Sequence, residues 1–329
     1  MSLEPVASLS AEAPALSGPA DVLAEEREYQ LARESFLAPE RASSGGLLLL
    51  GTLVLFSLSM MGDSGWKELV LLIAVLLFHE AGHWAGMRLF GFQDVKMFFI
   101  PFFGAAVSGR NVGAQGWKEA LVLLLGPVPG IFAGCLVGAV SWVSQSTALA
   151  QAAFMLLAVN GFNLLPIVPL DGGRLFQVLV FSRHRYLELG FTLLTSLALA
   201  GLAVVSESWL LGVVAFLNLV VLPRQARLLR VAGELRKTAP SLVQEPARLE
   251  DESMRALYQA SAGLVPAVAA RQEEAYKRHA QVMRNLHQHI RQCPPSVLAS
   301  LGLAFLWFVG VVALLVGLAL CTRVPGFTS

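Results

Sequence analysis

Residues 69–87 read LVLLIAVLLFHEAGHWAGM, ten apolar residues running into a histidine, a glutamate and a second histidine. Ionisable groups are costly inside such a stretch unless they face a polar cavity, a partner or a functional site. The rest of the chain has the same character. Of 329 residues, 55% are hydrophobic and only 14% charged, and the mean hydropathy is +0.63. These values exclude an ordinary soluble domain and indicate a membrane protein. A formal charge of +1 gives no sign of nucleic-acid binding. Cys135, Cys293 and Cys321 are too few and too scattered for a disulfide framework or a cysteine metal site.

Working outward, stretches long enough to cross a bilayer as helices, about 20 residues each, are predicted near 45–61, 68–90, 119–143, 147–168, 186–205 and 296–321. A shorter one lies at 209–222. Lys and Arg concentrate in the connections 91–118, 174–185 and 223–295. Cytoplasmic loops are enriched in these residues, so the expected orientation has the N-terminus in the cytoplasm and the short seventh segment spanning. The first 44 residues hold eight acids and three arginines among Ala, Ser and Pro, which predicts a disordered acidic tail. No basic start leads promptly into an apolar stretch, so no signal peptide is expected. Residues 95–109, VKMFFIPFFGAAVSG, suit a bent hairpin at the membrane surface. Residues 223–295 are charged and helix-favouring, suited to an exposed or partner-binding segment, before the last span at 296–321.

The chemistry begins at HEAGH. His79 and His83 project from one helix face, one turn apart, at a separation suited to sharing a zinc ion. Glu80 stands beside them as a general base toward water. A structural polar cluster or an ion path would also place such groups in a span, but neither needs this spacing. A catalytic zinc site takes a third protein ligand. His184, His279, His287 and His289 fall in polar stretches and fit solvated faces. Among later acids, Glu188 lies near a span end without a second motif. Asp171 stands out, in NLLPIVPLDGG at 163–173. Pro166 and Pro169 disrupt the helix, Gly172 and Gly173 allow a close turn, and the aspartate is delivered toward the histidine pair. Irregular backbone at membrane depth is tolerated where it lines protein or a watery cavity. Glu80, eight residues before Arg88, lies about 12 Å inside its helix end, on the same side of the membrane as Asp171.

HEAGH in one span and NLLPIVPLDGG in a later one together resemble the site-2 protease family of intramembrane zinc metalloproteases, whose pattern is HExxH followed by an Asn, two prolines and an Asp-Gly. The resemblance covers roughly residues 45–222. It implies an all-α polytopic membrane protein of about six to seven transmembrane helices, with a small membrane-associated β element after the HExxH helix. It further implies one Zn²⁺ per chain held by His79, His83 and Asp171, Glu80 activating water, and Asn163 holding the substrate backbone or its oxyanion. Asn163 and Asn160 can each instead bond a neighbouring helix. GPVPG at 126–130 resembles a glycine-proline element of the family and equally suits close packing. The implied substrate is a membrane-spanning protein cut near the cytoplasmic side, in regulated intramembrane proteolysis, in a bacterial cytoplasmic membrane. The hairpin at 95–109 would hold an extended substrate by β-augmentation, or simply rest on the interface. The rival expectation is an inactive scaffold of the same fold, against which the full set His79, Glu80, His83 and Asp171 speaks. Neither a PDZ nor a CBS module is recognisable, and 223–295 is the place for a cytoplasmic regulatory partner.

Overall fold

The computed structural model describes residues 19–38, 45–60, 65–102, 104–111, 115–265, 275–325 and 327. Its membrane part comprises α2 (Gly45–Met60), α3 (Trp66–Leu89), a hairpin of β1 (Gln93–Ile100) and β2 (Gly104–Arg110), then α4 (Gly116–Leu125), α5 (Pro127–Ser144), α6 (Thr147–Asn163), α7 (Asp171–Leu179), α8 (Arg185–Val205), α9 (Trp209–Thr238) and, after a polar segment, α12 (Val297–Cys321). Five stretches are long and apolar enough to cross a membrane: α3, α4 with α5, α8, α9 and α12. Helices α2 and α6, of 16 and 17 residues, are shorter. The chain is an all-α multi-pass membrane protein with one small antiparallel sheet among the described residues.

Three expected spans are redrawn by backbone chemistry. The stretch at 119–143 divides at Gly126, because Pro127 has no N–H to continue the ladder and opens α5 instead. The stretch at 147–168 ends as a helix at Asn163, ahead of Pro166 and Pro169, and helix resumes as α7 at Asp171. The segment at 209–222 runs on to Thr238 through Pro223, since residues 224–238 are rich in strong helix formers.

The hairpin appears where the aromatic stretch 95–109 suggests, with Phe99 opposite Ala105 and Ile100 opposite Gly104. Gly104 begins β2 at φ +100°, a conformation that favours glycine. The outer edge of β1 is covered by α2: the Phe99 N–H donates to Thr52 Oγ1 at 2.9 Å, and the Phe56 and Phe99 rings lie 5.2 Å apart. On the far side of the bundle, α12 packs against α5 and α6 in a core that includes Ile131, Leu157 and Leu164.

A second core lies in the polar segments. It joins α1 (Pro19–Leu37), the end of α9, α10 (Asp251–Ala262) and α11 (Ala275–Arg291) around Tyr29, Phe36, Leu257, Met283 and Leu286. Two expectations are corrected here. Part of the presumed tail, residues 19–37, is helical, because Tyr29, Ala32 and Phe36 repeat at helical spacing and bury together, a pattern that averaged composition hides. Residues 1–18 and 39–44 of that tail lie outside the described residues. His279 and His287 are not on a solvated face: they are 5% and 4% exposed, on the apolar stripe of α11 that packs against α1 and α10. His289, on the other side of α11, bonds the Asn285 carbonyl at 2.8 Å. At the rim, Arg255 pairs with Glu26 at 2.8 Å and Asp251 at 2.9 Å, and Tyr29 donates to Asp251 at 2.8 Å. The charged groups are half exposed, so the apolar face carries the association.

Burial pushes the His287 imidazole down to about 4, and nearby Arg291 adds to the effect; burial lowers His279 too, against the opposing pull of Glu28. The unfolded chain takes up protons at these rings as pH falls below about 6.5, whereas the folded module does not until about pH 4 at His287. Stability of the module is therefore full above that window and falls through it on acidification, by up to about 3 kcal/mol for His287. Hydrogen exchange of the α1 and α11 amides, corrected for intrinsic rates, is expected to show weakening protection from pH 7 to 5, and His287→Leu to flatten that slope.

Candidate metal centre

The fold brings three expected side chains to one point. His79 and His83 come from α3, and Asp171 is the first residue of α7. Asp171 Oδ2 lies 3.1 Å from His79 Nε2 and 3.1 Å from His83 Nε2, and the two Nε2 atoms are 3.2 Å apart. Both histidines are buried, at 2% and 6% exposure.

The outward nitrogens decide which tautomer each neutral ring takes. His83 Nδ1 is 2.8 Å from the Val122 carbonyl of α4, an oxygen that can only accept, so Nδ1 carries the hydrogen. His79 Nδ1 is 2.9 Å from Asn160 Oδ1 of α6. The Asn160 amide nitrogen already donates to the Leu156 carbonyl at 2.7 Å, which fixes the amide orientation and makes Oδ1 the acceptor. In the neutral rings both Nε2 atoms thus present lone pairs toward a carboxylate oxygen. Three acceptors converge with no hydrogen between them, an arrangement that a cation at their centre resolves. Among the described residues this is the group of His, Cys, Asp or Glu side chains placed to hold a metal.

Glu80 stands beside the group, with Oε1 4.0 Å from His79 Nε2, and is reached by the backbone N–H of Val107 in β2. Glu188 is elsewhere, accepting from Gln225 at 3.2 Å. Asn163 lines the cavity, its amide nitrogen donating to the Val159 carbonyl at 3.0 Å. Asn160 is the residue that the sequence alone did not single out. It makes the inter-helix bond expected of an asparagine in a span, and its partner is His79.

Close backbone approach makes this possible. A Cβ on Gly126 would stand 2.3 Å from His83 Nε2, and one on Gly130 would stand 2.3 Å from the Asn160 amide. The glycines of GPVPG therefore make room for one histidine and for the partner of the other.

A cavity of about 470 Å³ opens on the centre, lined by Ala105–Val107 of β2 and by Leu199, Leu210 and Val214 of α8 and α9. The hairpin tip meets the start of α9 through the Phe102 and Trp209 rings, 6.2 Å apart. Arg174 and Val122 are shared with a second cavity of about 580 Å³, whose wall includes Glu119, Gln177, Glu188, His289 and Gln292.

Two curated relatives match part of the chain. The chain is 36% identical over 122 residues to stage IV sporulation protein FB of Bacillus subtilis, a match covering 36% of this chain and 41% of that protein. It is 27% identical over 147 residues to a zinc metalloprotease of Methanocaldococcus jannaschii, covering 43% of this chain and 42% of that one. The chain is thus similar, over part of its length, to members of the site-2 protease family. It spans about two fifths of the length of these curated relatives, and no family model matches it. The two motifs expected to meet do meet, at one cavity within apolar helices.

Because the Gly126 space is filled by an imidazole, Gly126→Ala is expected to displace His83 and strip bound metal from the purified protein without altering any candidate ligand. Gly130→Ala acts on His79 through Asn160 and should weaken retention less. Metal per chain by mass spectrometry, beside Asp171→Ala, checks both; retention in Gly126→Ala equal to the parent would contradict the packing argument.

Proposed function

We propose that the chain is an intramembrane zinc endopeptidase that hydrolyses a peptide bond within or beside the membrane span of a protein substrate. The observation that carries this is the convergence of His79 Nε2, His83 Nε2 and Asp171 Oδ2 next to Glu80 in a cavity among apolar helices. Zinc bound to nitrogen and oxygen at about 2.0–2.1 Å in tetrahedral geometry spaces its ligands about 3.3 Å apart. The observed 3.1–3.2 Å fits that spacing closely. Two imidazoles, a carboxylate and an open side toward a cavity also suit zinc by ligand type. A zinc ion held by His79, His83 and Asp171 supplies a Lewis acid that polarises the scissile carbonyl and acidifies water.

The remaining work belongs to the chain. Glu80 takes a proton from the attacking water and returns it to the leaving amine. A helical peptide bond is shielded by its own hydrogen bonds, so the substrate must be extended first. Residues 105–107 of β2 line the cavity while β1 is covered by α2, so an extended segment would pair with β2, apart from the Val107 N–H that reaches Glu80. Asn163, which also lines the cavity, would hold the substrate backbone or the developing oxyanion. The adjoining polar cavity, which shares Arg174 and Val122 with this one, would be the side from which water reaches the centre. Lys and Arg in the connecting loops favour an N-terminus in the cytoplasm of a bacterial cell, with cleavage near that side and release of a membrane-tethered fragment as the outcome.

Glu80→Gln is expected to keep its metal, because Glu80 is not one of the three converging groups, and to lose cleavage of reconstituted single-span substrates by at least roughly a hundredfold. Parental rates in that variant would rule out the mechanism, and would leave a scaffold of the same fold as the better account.

A further inference from the structure

The last span, α12, lies beyond the region that resembles the family, and the mechanism above gives it no part. It nevertheless touches the backbone that carries Asp171. The Trp307 indole N–H donates to the Leu164 carbonyl at 2.9 Å. Its ring meets Phe176 of α7 edge-on, at 5.1 Å and 88°. Leu164 is the residue at which α6 ends, and its carbonyl lies where the ladder has stopped and no following helical turn covers it. On its other side that oxygen lies against Gly172, where a Cβ would come within 2.2 Å of it. The carbonyl is therefore held between Trp307 and the residue next to Asp171. A second bond, from Asn218 Nδ2 of α9 to the Val168 carbonyl at 3.0 Å, steadies the same loop further along.

We infer that Trp307 is a positioning residue for Asp171: α12 fixes the Leu164 carbonyl, and through its contact with Gly172 sets where the third metal-binding group stands. The inference rests on the metal-site reading above. An unpaired carbonyl in an apolar interior is costly, so loss of the indole N–H lets the 164–170 loop shift toward another donor. Asp171 moves with it, while His79 and His83, on a different helix with their own orienting bonds, stay in place. The expected result is a centre that still forms but holds its third ligand loosely.

Two variants of the full chain in detergent test this. Trp307→Phe keeps a ring against Phe176 and removes only the N–H; Val316→Ala alters an exposed position of the same helix. The probes are the rate at which bound zinc is lost to a chelator and the visible absorption of the cobalt(II) form, beside Asp171→Ala and thermal unfolding. Trp307→Phe is expected to release zinc roughly tenfold faster with altered cobalt bands, and Val316→Ala to behave as the parent. Parental release and parental bands in Trp307→Phe, even with a lower Tm, would overturn the inference and leave Trp307 as packing alone. A parent that binds neither metal, or whose bands ignore Asp171→Ala, would instead remove the metal-site reading and this inference with it.

Discussion

Everything in the membrane part answers to one constraint: three acceptors and a neighbouring carboxylate must be gathered in an apolar interior, with each nitrogen not facing the centre given a partner. The Val122 carbonyl and the Asn160 amide meet that need for His83 and His79. Their positions dictate the rest. Helix α4 must run close beside α3, α6 must bring Asn160 to the same level, and the chain must be bare of side chains at Gly126, between α4 and α5, and at Gly130, in the first turn of α5. The loop from Leu164 to Leu170 then returns Asp171 from the end of α6 to the centre it has just passed.

The hairpin is governed by a related asymmetry. A two-stranded sheet has two edges with unpaired backbone groups, and at membrane depth each needs a destination. Here one edge receives a hydroxyl from Thr52 and the other looks into a cavity with polar groups on its walls. The strand nearer Glu80 is the one that lines the cavity, so the order of the two strands along the chain decides which of them meets the proposed centre.

The amino-acid sequence contained the centre more plainly than its support. HEAGH and the Asp-Gly after two prolines are short, chemically demanding patterns, so His79, Glu80, His83 and Asp171 stand out from their apolar setting without any tertiary knowledge. Asn160 does not, because an asparagine in a span has many possible partners and only packing selects His79. The break at Gly126 was hidden for a similar reason: an apolar run containing glycine and proline looks continuous by hydropathy. Outside the membrane the failure was one of averaging. Tyr29, Ala32 and Phe36 are three residues in an acidic stretch, and His279 and His287 read as polar until the stripe to which they belong finds α1 and α10.

The bond between Trp307 and the Leu164 carbonyl joins positions 143 residues apart. During synthesis, the histidines, the aspartate and the loop between them all enter the bilayer before the indole that steadies that loop exists. The polar module on α1, α10 and α11 must also be made in the interval, because its segments are encoded ahead of α12. Assembly of the centre is thus ordered in time by chain connectivity: the parts come early, and the brace that holds the third of them comes last.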